Sequence, residues 1–482
     1  MKRLKKAAAL ALTLILCTGL FYGCSSSSQD SANNSSDTDY HNYTMPEEEV
    51  SLNITTDLGS SNGLAMLAEA FMEVYPNVTI NIESLGWENL AERVANPESE
   101  PIDGFMVKFL GEVWREDFYP VWQEYCFNFK DADDVVDLSS LNASAVDALT
   151  VEEDAVYGVP FTIYTSGMIT NMDLLEKCNI TKVPETTEEL LADCEMIKNA
   201  GYQPFRCLSS SLTQIIMSVT NNDLVKNGKT EELIDTALHS DDAAIGDYFM
   251  PALELIETMF QKGYIDTESL VYNPEANEES GGEVPMTTYQ EECYAFLNGD
   301  VAFYPVYSDV ITSLQKRETR LESYNENPFH YELAVIPGIE EPALIESSSS
   351  SIFLCKDSEN LEWMKQFVRF ALYRESEEEI GNISIFSDNQ YLMSPYDNST
   401  LHSDISEQYY GATLALMDTV EPAPAEFKEL LEYQGYGLYQ SVLIPKIASE
   451  FDSTMTATAA RDEINRVSKI WYADGNTDYW EE

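Results

Sequence analysis

The stretch from Val50 to Glu83 constrains this chain more than any other. "VSLNITTD" alternates Val50, Leu52 and Ile54, the period-two pattern of a strand with one buried face. "NGLAMLAEAFMEVYP" follows with Leu64, Leu67, Ala68, Phe71 and Val74 on one helical face and Pro76 as its stop. "VTINIE" alternates again through Val78, Ile80 and Ile82. Strand, helix and strand in so short a span form a βαβ unit, because parallel strands need a crossover and a helix supplies it. The chain therefore opens an α/β lobe, and "IDGFMV" just past residue 100 continues it.

What precedes that unit cannot fold in the same way. Lys2, Arg3, Lys5 and Lys6 precede an apolar run from Ala7 to Leu16, the form of an export signal. The run is too short for a membrane span, which takes about 20 apolar residues. Gly23-Cys24 at its end resembles a bacterial lipoprotein signal, in which the cysteine is acylated and becomes the mature N-terminus. Phe21 and Tyr22 depart from that pattern, and an ordinary secreted protein cleaved nearby is the other reading. Residues 1–23 are thus expected to be removed. Residues 24–49, rich in Ser, Asn and Asp, read as a flexible tether because they carry too little apolar surface to offset chain ordering.

The formal charge is −57, with 84 acidic against 27 basic residues. So acidic a surface repels nucleic acid and disfavours polyanionic ligands. With 44% hydrophobic residues the chain is nonetheless globular, and its length suits two lobes. Cys126, Cys178, Cys194, Cys207, Cys293 and Cys355 show no CxxC spacing, so buried thiols and one or two disulfides both remain open. His41, His239, His330 and His402 lack metal-ligand spacing, and neither a metal nor a cofactor is expected. There is no GxSxG elbow, no phosphate-binding loop and no plausible Cys–His pair, so an enzyme is not expected.

Further along, Thr186 and Glu189 form a capping box, Leu190, Leu191, Cys194 and Ile197 share a face, and Gly201 closes the helix. Strands continue to alternate with helices to about residue 400, and the last 80 or so residues read as mostly helical.

Several segments in this order resemble the extracellular solute-binding proteins of ABC importers, in particular the carbohydrate-binding, maltose-binding-protein-like family. They are the export signal, "F…YP" at Phe71 to Pro76, "YGVP" at Tyr157 to Pro160, and a strand ending at Thr170-Asn171. "P.T..EL" leading to "AGY.PF" at Pro184 to Phe205 and the "F..G..AF" turn at Phe296 to Phe303 follow. The resemblance implies a two-lobed, type II periplasmic-binding-protein-like α/β fold, with discontinuous lobes joined by crossovers and a ligand cleft between them. The expected division is 50–165 plus 307–350 for the N-lobe and 166–306 plus 351–482 for the C-lobe. It further implies a monomer that captures a small, neutral carbohydrate by hinge closure and delivers it to the permease subunits in the membrane, with part of the closure absorbed at Gly167 to Asn171.

Candidate ligand residues follow from position relative to the crossovers: Trp87, Asp103, Tyr164, Thr165 and, in "ESSSSSIFL", Ser348. That serine run also reads as an ordinary flexible loop. Where the family commonly ends a strand in Gly-Ser-Trp, this chain has Tyr307-Ser308-Asp309, which implies a smaller, more polar site. A tethered glycosidase or esterase, and a surface glycan-binding adhesin, are the competing readings.

Overall fold

The computed structural model describes residues 40–57, 61–85, 93, 102–107, 124–266, 288–372 and 456–474. Short breaks inside the longer runs fall at 131, 148, 152–154, 208, 231, 234–243, 309 and 343–345. The alternating residues of the opening unit form β1 (Val50–Asp57) and β2 (Val78–Leu85), parallel and in register from Val50↔Val78 to Asp57↔Leu85. Between them α1 (Ser61–Val74) buries Leu64, Leu67, Ala68 and Phe71 against the sheet. Val74, expected on that face, ends the helix and is 45% exposed. Phe71 sits among Tyr75, Trp363, Phe367 and Phe370, with ring centroids 4.7–6.5 Å away. Full burial of such a ring contributes roughly 1.5–3 kcal/mol.

β3 (Gly104–Val107) extends the parallel set beside β1, and β4 (Thr150–Val151) pairs with β5 (Ala155–Val156) in a separate two-stranded ribbon. The 14-residue β6 (Gly158–Asn171) organises everything after it. With β7 (Gln203–Phe205), β8 (Val301–Tyr307), β9 (Tyr331–Ala334) and β10 (Glu346–Leu354) it completes a sheet of order β2-β1-β3-β10-β6-β8-β7, with β9 also on β6. From Gly158 to Thr165, β6 pairs with β10; from Ser166 to Asn171 it pairs with β8 and β9. One strand therefore belongs to two half-sheets.

Helices cover both halves. In the second half, α2 (Thr187–Asn199) is capped as expected: the Glu189 N–H donates to Thr186 Oγ1 at 3.2 Å. The Glu189 carboxylate reaches back to the N–H of Glu185, one residue before the cap. α3 (Ser209–Asn227) packs on β8, α4 (Met250–Gln261) on α3, and α5 (Thr288–Leu297) on α6 (Val310–Glu318). α7 (Leu361–Ala371) packs on β10 and α1, in the first half, and α8 (Ala457–Asp474) packs on α4, in the second.

Three further expectations change. The chain stays with the second half after β8: β9 pairs with β6 beyond the partner change, and the Ile339 N–H donates to Asn222 of α3. It returns only between Ile339 and Glu346, so β9 groups with the C-lobe and β10 with α7 groups with the N-lobe, unlike the split expected at 307 and 351. The serine run is a strand, not a loop. Its serines carry no alternation to reveal it, but β6 pairs along the run and β3 joins from Ser351 onward. Lastly, the tether does not reach residue 49. Tyr43 stacks on the Arg369 guanidinium at 3.6 Å and donates to Asp134 O, while Asn77 donates to Pro46 O and Glu48 O.

Candidate functional site

The carboxyl ends of parallel strands are where open α/β sheets bind ligands. β1 and β2 end at Asp57 and Leu85, and β3 ends at Val107 opposite Ser351 of β10. β10 runs antiparallel to β3, so its first residues extend past those ends to the place where β6 changes partner. There Glu346 faces Thr165, Ser347 faces Tyr164, and Ser348 faces Ile163, with register irregularities between Ser348 and Ser351. One residue along, Ser166 faces Tyr307 at the end of β8.

Short hydroxyl side chains hold this seam. The Thr165 N–H donates to Ser308 Oγ at 3.2 Å, and the Ser308 N–H donates to Thr165 O at 3.0 Å. Thr165 Oγ1 donates to Ser166 O at 3.1 Å, and Ser166 Oγ lies 3.2 Å from Ser218 Oγ of α3. Small residues suit the position because two strands separate here and backbone groups must close on side chains. Thr162 Oγ1, one turn of the pleat before the seam, is buried with no hydrogen-bond partner in the structure. Sequence reasoning missed Ser166, Ser218 and Ser308. The clustering of "TSG" at 165–167 and "YSD" at 307–309 was the available signal.

The structure brings Tyr164, Thr165, Ser348 and Tyr307 to this one seam through the backbone pairings. Thr165 is fully buried with its hydroxyl and amide engaged inside the seam, which makes it a positioning residue. Tyr307 is half-buried. Trp87, Asp309 and Cys24 lie outside the described residues. Asp103 goes elsewhere, contrary to its expected place at the cleft. It precedes β3, beside Cys355, nine residues along β10 from Glu346 or roughly 30 Å of strand. Its carboxylate accepts from the Asn53 N–H at 2.7 Å, the Ser358 hydroxyl at 2.5 Å and the Asn360 amide at 3.2 Å.

A depression of about 470 Å³ lies on the polar face of β1 and β2, lined by Asn53, Thr55, Asn81, Glu83 and Arg93 among others. Its polar groups bond to one another: Arg93 Nε pairs with Glu83 at 3.1 Å, and Asn81 donates to Ser51 and Asn53. It is away from the seam.

Residues 57–377, more than half of the chain, match the family model for the bacterial extracellular solute-binding protein. The chain belongs to that family. Solved structures agree in fold. The MsmE binding protein of Bacillus subtilis, in an open conformation, is 17% identical with a TM-score of 0.61, covering 88% of this chain and 98% of that one. A sugar transporter of Bacillus licheniformis, in complex with stachyose, is 18% identical at a TM-score of 0.56, covering 87% and 100% respectively. The GacH receptor of Streptomyces glaucescens, solved with and without acarbose, is 15% identical at 0.59, covering 89% and 100%. No protein with a curated description matches. At these identities the likeness speaks to fold, and the fold is the two-lobed α/β architecture with a cleft between discontinuous lobes. This solute-binding protein shares that scaffold with the binding proteins named above.

Proposed function

We propose that this solute-binding protein is the extracellular receptor of an ABC importer, that its ligand is a neutral sugar or short oligosaccharide, and that it hands this ligand to a membrane permease. The observation that carries the reading is the seam, where β6 and β10 run side by side from one half-sheet towards the other at the carboxyl ends of β1 to β3. Strands shared in this way let two lobes swing without unfolding either. A sugar contacted by both lobes binds the closed state more tightly and shifts the population towards it.

Trp87, Tyr164, Tyr307, Asp309 and Ser348 are assigned to the ligand. Aromatic faces suit the C–H surfaces of sugar rings, and a carboxylate accepts from hydroxyls. A net charge of −57 argues against an anionic ligand. The sugar-bound relatives support the class without naming the sugar. Thermal-shift screening against mono- and oligosaccharides tests it, since a ligand of the native state raises the midpoint by mass action. At least one neutral sugar should raise the midpoint, and Tyr307→Ala should weaken its binding by about 1–3 kcal/mol. A panel in which no sugar acts, but a peptide does, would overturn the assignment.

Acylation at Cys24 would place the protein on the outer face of the cytoplasmic membrane. No helix among the described residues is long and apolar enough to cross a membrane. Cys24→Ala should move the protein out of the detergent phase; unchanged partitioning would refute the anchor.

A further inference from the structure

Cys126 and Cys355 face each other across an antiparallel bridge. The Phe127 N–H donates to Leu354 O at 2.8 Å, and the Lys356 N–H donates to Tyr125 O at 2.8 Å. Those two bonds flank the cysteines, which makes them a non-hydrogen-bonded pair. Opposed Cα atoms in such a pair are about 4.5 Å apart, with their side chains at closest approach. Disulfides span Cα separations of roughly 4.4–6.8 Å. Both residues are thiols in the structure. The remaining four described cysteines have no such partner in the strand ladders: Cys194 and Cys293 lie within α2 and α5, Cys178 caps a short helix, and Cys207 follows β7.

We propose that Cys126 and Cys355 are joined by a disulfide in the exported protein. The proposal rests on the extracellular setting of the family, where disulfides form and persist, and not on the identity of the ligand. The oxidant is a protein or small-molecule disulfide. One cysteine thiolate attacks a sulfur of that disulfide, forming a mixed disulfide and expelling one thiolate. The second cysteine then attacks the protein-bound sulfur, forming the Cys126–Cys355 bond and expelling the other thiolate. Two protons and one electron pair pass from the cysteines to the oxidant, which leaves as two thiols.

Timing follows from the surroundings. Burial, with Cys355 alongside, raises the Cys126 thiol well above its ordinary range, and burial, with the Asp103 charge second, pushes Cys355 up to about 12. Thiols so rarely ionised attack slowly. The bond therefore forms before the 125–127 and 354–356 segments close on each other. Once made, it pins the end of β10 remote from the seam, so that β10 is fixed at Cys355 and able to bend near Glu346.

The test uses the mature chain recovered after export, alkylated with N-ethylmaleimide before unfolding and with iodoacetamide after it, then mapped by peptide mass with and without reductant. The expected result is a reductant-sensitive peptide pair joining Cys126 to Cys355, with the other four cysteines alkylated only on unfolding. Reduction should lower the melting midpoint by roughly 5–10 °C. The Cys126→Ala/Cys355→Ala double variant should show no response to reductant. Cys126 and Cys355 both carrying the alkyl label in the exported wild-type chain would overturn the proposal. So would a reductant response that persists in the double variant.

Discussion

The carboxylate of Asp103 gathers donors from residues 53, 358 and 360, which lie on both sides of it in the fold but far apart in the sequence. A turn aspartate before a strand gives no hint of such partners, and for that reason its role was not legible. Its described contacts make it a junction between β1, β3 and the loop after β10. Asp103→Ala should therefore lower stability by about 2–4 kcal/mol, because buried donors lose their acceptor. Urea unfolding measures this, and sugar affinity of the folded variant should be unchanged. A variant that keeps its stability but loses binding would return Asp103 to the ligand. Asp193 on α2 offers a pH test. Burial, with the Glu189 charge second, pushes its carboxyl up to about 6. Between about pH 4 and 6 the folded chain then holds a proton that the unfolded chain has released. Stability from this group falls as pH rises through that window. Asp193→Asn should add about 1 kcal/mol at pH 7 and nothing below pH 4, read from melting midpoints across pH. An equal effect at both pH values would show that the charge is not its cause.

Elements written in local pattern were legible: β1, α1 and β2 from their periodicity, and α2 from its capping box and from Gly201, whose φ of +90° ends it. Elements defined by distant partners were not. "ESSSSSIFL" becomes a strand only because β3 and β6 flank it, and the division between halves depends on which end of β6 each later strand joins. In the segment Gly167 to Asn171, expected to absorb closure, Met168 to Thr170 are paired on both sides, by β8 and β9, while Gly167 pairs with β8 and Asn171 with β9. A Cβ on Gly167 would stand 2.6 Å from Leu333 Cδ1 and 3.0 Å from Ala334 O. Gly167→Val should accordingly cost about 1–3 kcal/mol by forcing β9 away from β6. A thermal unfolding midpoint equal to wild type would show that this half of β6 is not locked. The proposed closure then falls to the partner change at Thr165–Ser166.

For the whole molecule, the βαβ opening and the order of motifs carried the two-lobed class, while the site stayed only partly readable. Tyr164, Thr165, Tyr307 and Ser348 converge through pairings between positions more than 100 residues apart, which no local pattern encodes. The central claim is that the halves on either side of this seam close on a sugar. Small-angle X-ray scattering of the mature chain, without ligand and at calorimetrically verified saturation with the best sugar from the screen, tests it most directly. The account predicts a smaller radius of gyration in the saturated sample. An unchanged radius at verified saturation would contradict closure about the seam.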